Sequence, residues 1–196
     1  MQRAENISAI ILAAGLSSRM KTNKTELPFD SNRNFLQKIS EEYLNFTCKE
    51  IIVVFNTENY NSYIDKGLKF NDQIKIVINK YPEKGRFFSL KVGISALSET
   101  CFSYIQNIDN PFVNQDILNL LNSNSEKADY IIPSFKGKGG HPILVSEKII
   151  QAVKNTNSDD VNLKTFLNQF EKYYAATNDK KILANINTFS DYHLYF

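Results

Sequence analysis

The chain has 196 residues, enough for one domain with a real core, and 42% of them are hydrophobic, which excludes a disordered chain. The 23 basic and 21 acidic residues leave a formal net charge of +2, so no global field draws the protein to nucleic acid or to an anionic membrane. Two cysteines, Cys48 and Cys101, lie far apart without CxxC spacing; they argue against zinc and against a disulfide framework, and read as small buried thiols.

Residues 1–6 carry no leader pattern, and no apolar run approaches the ~20 residues that span a bilayer, so a soluble cytoplasmic protein without a membrane partner is expected. Short apolar runs then alternate with amphipathic segments. Strands are predicted at 8–13, 50–55, 74–78, 102–108, 130–133, 143–145, 173–176 and 184–186. Helices are predicted between them at 35–46, 58–66, 89–97, 114–121, 147–154 and 162–170. Lys136-Gly137-Lys138-Gly139-Gly140 marks a flexible turn or flap beside the site. No linker or repeat divides the chain, so residues 1–196 are read as a single α/β domain. The late strands are short, which suggests a mostly parallel, mixed sheet with an antiparallel strand near one edge.

The most informative stretch is Ile10-Ile11-Leu12-Ala13-Ala14-Gly15-Leu16-Ser17-Ser18-Arg19-Met20. Four apolar residues in a row suit a strand covered on both faces. Ala13, Ala14 and Gly15 then leave the main chain bare, so another molecule can approach it closely. Unpaired amides at a strand end followed by Ser17, Ser18 and Arg19 make a phosphate cradle. Lys24 follows at a spacing that sets a second cation on the same phosphate chain. Both GxGxxG and GxxxxGK[ST] are absent, which argues against a dinucleotide-dependent oxidoreductase and against a P-loop.

The segment Leu12–Met20 resembles the LAAGxSxRM signature of the MobA-like nucleotidyltransferases, which include the molybdenum cofactor guanylyl- and cytidylyltransferases. Further islands follow in the family's order. Lys24-Thr25-Glu26-Leu27-Pro28-Phe29 is similar to K-x-L-L-P-F, and the run from Asn79 through Gly85 and Ser89 to Leu90 keeps the spacing N-x5-G-x3-S-L. Asp109-Asn110-Pro111-Phe112-Val113 resembles the D-x-P-x-V element, Gly140-His141-Pro142 the GHP element, and Asn185-Ile186-Asn187-Thr188 a late N-[IV]-[ND]-T element. Departures stand at Lys21 and Ile108, where the family has Gly, and at Phe189, where it has Pro.

The resemblance implies a three-layer Rossmann-like fold with helices on both faces of the sheet. It implies an enzyme that moves a nucleoside monophosphate from an NTP to a phosphorylated acceptor, with pyrophosphate released. Leu12, Ala13, Ala14, Gly15, Ser17, Arg19 and Lys24 would hold the nucleotide's phosphates, and Asn79, Gly85 and Ser89 would lie along its base and ribose. Arg19, Lys24 and Asp109 would be catalytic, with magnesium as cofactor on Asp109 and Asn187. Ser89 would also cap the helix that follows it. His141 is open to two readings, a contact to the acceptor or a structural turn. CTP is favoured over GTP because of the GHP element, with a molybdopterin-type acceptor and, as possible partners, a molybdoenzyme or insertion chaperone. A sugar-phosphate or other phospho-alcohol acceptor stays open, as does a non-catalytic nucleotide-binding accessory protein, a reading motivated by the departures.

Overall fold

The computed structural model of the protein describes residues 6–16, 20, 22–159 and 161–196. All seven residues of the first strand, β1 (Ile7–Ala13), are buried. The period of two sends Ile7, Ala9, Ile11 and Ala13 into one apolar layer and Ile10 and Leu12 into the other, which is why the run is continuous rather than alternating. β2 (Ile51–Asn56) pairs parallel along one edge of β1, β4 (Phe102–Asn107) along the other, and β3 (Ile74–Asn79) extends the sheet beyond β2.

Past β4 the sheet changes direction. β7 (Ile143–Ser146) runs antiparallel to both β4 and β5 (Tyr130–Phe135), and β8 (Lys172–Ala176) joins the far side of β5 in parallel. The order is β3-β2-β1-β4-β7-β5-β6, with β6 (Lys138–Gly139) paired to the end of β5. The expected mixed sheet is present: β7 runs antiparallel between β4 and β5, and β6, at the end of the order, also pairs antiparallel with β5. The physical reason is the tight turn at Lys136–Gly137, which returns the chain directly alongside β5 so that the next strand must be antiparallel. That segment is therefore a paired hairpin, not a free flap.

Helices cover both faces. α1 (Phe35–Asn45), α2 (Thr57–Asp65) and α4 (Gln115–Ser123) seal the layer under Ala9 and Ile11, with Leu36, Ile39, Tyr63 and Leu118 buried there. On the opposite layer, Leu90 and Ile94 of α3 (Gly85–Ala96), Ile149 and Val153 of α5 (Glu147–Lys154) and Phe166 of α6 (Leu163–Leu167) pack on Ile10 and Val54. Each such side chain contributes about 1.5–3 kcal/mol through burial. α3 lies so close to the sheet that a Cβ on Gly93 would come within 2.7 Å of Ile10 Cγ2 and 2.9 Å of Val54 Cγ2.

Three further boundaries differ from the sequence reading. α3 begins at Gly85, a turn earlier than predicted, so Ser89 sits within it and is not its cap. The predicted 162–170 helix contracts to Leu163–Leu167, with Asn162 capping it through bonds from the N–H groups of Lys164 and Thr165. Residues 184–186 form no strand. Asn110 Nδ2 instead donates to the carbonyls of Ile182 (2.9 Å) and Ala184 (2.6 Å), and the Ile186 N–H donates to the Asp109 carbonyl at 2.7 Å. This C-terminal strap leads to α7 (Phe189–His193) and is bound to the end of β4 by side-chain and loop hydrogen bonds where a ladder was expected. Cys101 is exposed rather than buried, while burial pushes the half-buried Cys48 thiol up to about 12.

Candidate active site

β2, β3 and β4 each end on an asparagine: Asn56, Asn79 and Asn107. Asn56 Nδ2 donates to the Ala14 carbonyl at 3.0 Å, and Asn59, in the first turn of α2, donates from Nδ2 to the carbonyls of Ala13 (3.0 Å) and Gly15 (3.1 Å). Three successive carbonyls of the first loop are thus fixed from the α2 side. A trans peptide points its N–H opposite its C=O, so the amides of Ala14, Gly15 and Leu16 turn away from Asn56 and Asn59. A Cβ on Gly15 would meet nothing within 4 Å, so its smallness is not demanded by packing. What it preserves is open access to the main chain. Ser17 and Arg19 lie outside the described residues.

Lys24 enters on a short 3₁₀ turn, Lys24–Glu26, capped by the Asn23 side chain. The turn is tied to α2. Asn23 Nδ2 donates to the Asn59 carbonyl at 2.9 Å, and the Glu26 carboxylate accepts from Asn23 (2.7 Å), Ser62 (2.6 Å) and Lys66. Burial pushes the Glu26 carboxyl up, but these bonds outweigh it and hold its pKa below the usual range. Lys24 Nζ donates to Asn187 Oδ1 at 2.8 Å and stands 3.9 Å from Asp109 Oδ2. The Lys24 and Asp109 side chains are 11% and 16% exposed, so the cation faces these oxygens in a largely dry setting. Asp109 Oδ1 is buried and meets no donor among the described residues. An orphaned buried carboxylate oxygen is costly unless something else satisfies it. No group of three or more His, Cys, Asp and Glu that could hold a metal by itself occurs among the described residues. Asp109 and the Asn187 amide oxygen are the hard oxygen donors available at this point.

One cleft gathers Leu12, Ala13, Ala14, Gly15, Lys24, Gly85, Ser89 and Asp109, which brings together most of the site residues singled out from sequence. Ile108 lines it too, its N–H donating to the Leu12 carbonyl at 3.2 Å, so the aliphatic departure from the family Gly is accommodated with β1 and β4 still joined. Gly85 has φ +84°, the left-handed region, which lets α3 start at the cleft edge directly after the Pro82–Lys84 turn. Asn79 is placed differently from the expectation. It is fully buried behind the lining, Nδ2 donating to Ser89 Oγ at 3.0 Å and Oδ1 accepting from the Tyr81 N–H at 2.8 Å. Both ends of its amide are engaged inside the protein, so it positions Ser89 and the start of α3. Ser89 Oγ also donates to the Gly85 carbonyl at 3.2 Å.

His141 lies outside this lining but adjoins it. Its N–H donates to the Ile182 carbonyl at 3.0 Å, and the Asn107 amide, itself part of the lining, is 3.2 Å from Nε2. Burial pushes the imidazole pKa down, Asp109 opposes that shift, and the Arg86 charge adds to it. The sequence alone assigns no role to Asn59, Arg86 or Asn107, all of which line the cleft. The signal that could have found two of these positions is the repeated asparagine at the end of an apolar run, with Asn59 three residues further on.

Residues 9–175 match the family of the MobA-like NTP transferase domain. The chain is 30% identical over 188 residues to the molybdenum cofactor cytidylyltransferase of Escherichia coli, covering 95% of this chain and 93% of that protein. It is 26% identical over 198 residues to a probable molybdenum cofactor guanylyltransferase of Carboxydothermus hydrogenoformans, covering 96% and 94% respectively. Among solved structures, Rv0371c of Mycobacterium tuberculosis superposes with a TM-score of 0.81 at 17% identity, over 98% of each chain, and shares the fold.

Proposed function

The chain belongs to the MobA-like NTP transferase family and is a nucleotidyltransferase of that type; from that premise we propose that it transfers a nucleoside monophosphate from an NTP to a phosphorylated, molybdopterin-type acceptor and releases pyrophosphate. CTP is the favoured donor, on the Gly140-His141-Pro142 element and on the 30% match to the cytidylyltransferase over 95% of the chain, where guanylyltransferase relatives reach 30% over only 66% of it; GTP is second. The observation that carries the reading is the convergence of Lys24, Asp109 and Asn187 beneath a first loop whose carbonyls are pinned from behind.

In this reading the outward-turned amides of Ala14, Gly15 and Leu16 receive the triphosphate, and Lys24 and Arg19 supply the balancing charge. Asp109 Oδ1 and Asn187 would hold magnesium. This fits the orphaned carboxylate oxygen and the habit of that ion of taking one or two protein oxygens together with substrate phosphates. When bound, the ion would neutralise charge on the phosphate oxygens. An ion on Asn187 Oδ1 would displace the Lys24 ammonium that now donates to it, and Lys24 would turn to the phosphates as charge develops on the leaving group. The acceptor phosphate is ionised at neutral pH and needs no strong base, so the protein acts by position and electrostatics.

The test is pyrophosphate release from the purified protein with magnesium, each of the four NTPs in turn, and molybdopterin. The reading expects release with CTP, or with GTP, only when the acceptor is present. Tight NTP binding without pyrophosphate under any combination would favour a non-catalytic nucleotide carrier instead.

A further inference from the structure

Lys24, Asp109 and Asn187 come together from segments far apart in sequence, and none of them lies in a strand, so the ladder of the sheet does not set their spacing. What the three segments share is an aromatic cluster. The Lys24 turn runs into Phe29, the Asp109 loop into Phe112, and the Asn187 strap into Tyr192 and Phe196. The Phe196 ring meets all of them. Its centroid is 5.5 Å from that of Phe29, 5.7 Å from Phe112 and 4.7 Å from Tyr192, and it stacks on the last two at 17° and 18°. It also sits 5.5 Å from Phe35, a fully buried ring of α1 that gives the cluster a fixed floor. These separations fall in the ~4.5–7 Å range in which aromatic pairs attract beyond their burial. The Tyr192 hydroxyl donates to the Pro28 carbonyl at 2.9 Å, a directed tie between the strap and the Lys24 segment.

At its other end, α7 is built on Asn187. The Asp191 carboxylate accepts from the N–H groups of Asn187 (3.0 Å) and Thr188 (2.8 Å), and the Asp191 N–H donates to Thr188 Oγ1 at 3.1 Å. Asn187 therefore moves with α7. That helix has five residues, none of them buried, and is too short to be stable alone. Its orientation falls to the rings of Tyr192 and Phe196. Phe196 is 39% exposed and belongs to neither buried layer of the sheet, so removing its ring leaves the core of the fold in place.

Resting on the proposed nucleotidyl transfer, we infer that Phe196, together with Tyr192, is a positioning residue of the active site. Its ring clasps α7 to the Lys24 and Asp109 segments and so keeps the Asn187 carboxamide at the Lys24–Asp109 pair. Phe196 does not line the cleft; it acts through Asn187. Groups that stabilise a developing charge depend steeply on their place, and a shift of ~1 Å can cost about a hundredfold in rate. Loss of the ring therefore shows in turnover and in the hold on a divalent ion, while NTP binding, which rests on the first loop, changes little.

The test uses the full chain, followed by residue-resolved amide exchange, by manganese titration read with electron paramagnetic resonance, and by pyrophosphate release. Phe196→Ala should speed exchange at Asn187 and Thr188 tenfold or more, while the amides of β1 and β4 keep their wild-type rates. It should weaken manganese binding at least fivefold and lower kcat tenfold or more, with the NTP KM within twofold. Phe196→Tyr keeps the ring and should restore all three. Tyr192→Phe loses only the bond to Pro28 and should give smaller changes in the same direction. Unchanged exchange at Asn187 and Thr188 in Phe196→Ala would overturn the inference. So would exchange that rises equally in β1 and β4, because Phe196 would then serve the fold alone. If the wild type and Phe196→Ala release pyrophosphate at the same kcat, the positioning role fails while the function stands. If the wild type releases none with any NTP, the function fails, and faster exchange with weaker manganese binding in Phe196→Ala would still establish the clasp on Asn187.

Discussion

Asn59→Ala tests the rigidity of the phosphate loop. The change removes the donor to the carbonyls of Ala13 and Gly15 and leaves that to Ala14, from Asn56, in place. A net hydrogen bond contributes about 1 kcal/mol, and a buried carbonyl left unsatisfied costs about 1–3 kcal/mol. Ala13 and Ala14 are 1% exposed, so at the Ala13 carbonyl water cannot easily substitute, whereas the Gly15 bond is only partly buried. The sum is about 2–4 kcal/mol, which for a chain of this length is a fall in Tm of about 4–16 °C. Asn59→Asp keeps the shape and favours the start of α2, yet it removes the same donor and turns a carboxylate toward carbonyl oxygens. Both variants should lose NTP affinity, the Asp variant at least as much as the Ala, when compared by calorimetric melting and by NTP titration. A Tm within a degree of wild type together with unchanged NTP affinity would refute the clamp.

Asp109→Asn should abolish magnesium-dependent pyrophosphate release; it removes the charge facing Lys24 from Oδ2 but also the orphaned buried charge at Oδ1, so the two effects on Tm offset each other, and retained turnover would remove Asp109 from the site. Lys24→Met should lower kcat about a hundredfold or more, the usual effect of removing one preorganised group from a developing charge; a wild-type rate at saturating NTP would contradict it. Gly93→Val should cost about 1–3 kcal/mol by overpacking, and more if α3 cannot move, measured by urea unfolding. His141 has a depressed pKa in the folded state, so the unfolded chain binds more protons just below pH 6.5, and stability should fall as pH drops through that value. A Tm series from pH 7.5 to 5.5 should show a steeper decline for wild type than for His141→Gln; parallel curves would show that His141 is not desolvated.

The layout of the fold was largely legible because β1 carries its whole environment in its composition: only a strand buried on both faces can be apolar throughout. Sites at the carboxyl ends of β1 and β4 followed from the same logic, and Lys24 and Asp109 do meet there. Features set by partners distant in sequence were not legible. Residues 184–186 look like a strand, but what holds them is the amide of Asn110, more than seventy residues away. Ser89 reads as a cap, and only the left-handed Gly85 shows that the helix starts earlier. The resemblance puts Asn79 along the base and ribose, yet tertiary packing engages both ends of its amide. The interior place of β7 depends on how its turn docks, which hydrophobic pattern does not encode.

A crystal structure of the protein soaked with manganese and a CTP analogue carrying a non-hydrolysable α–β bridge places the nucleotide directly. The account predicts an anomalous peak next to Asp109 Oδ1, with the triphosphate across Ala14 and Gly15 and within reach of Lys24. A triphosphate bound away from that loop, or a manganese peak remote from Asp109, would contradict it.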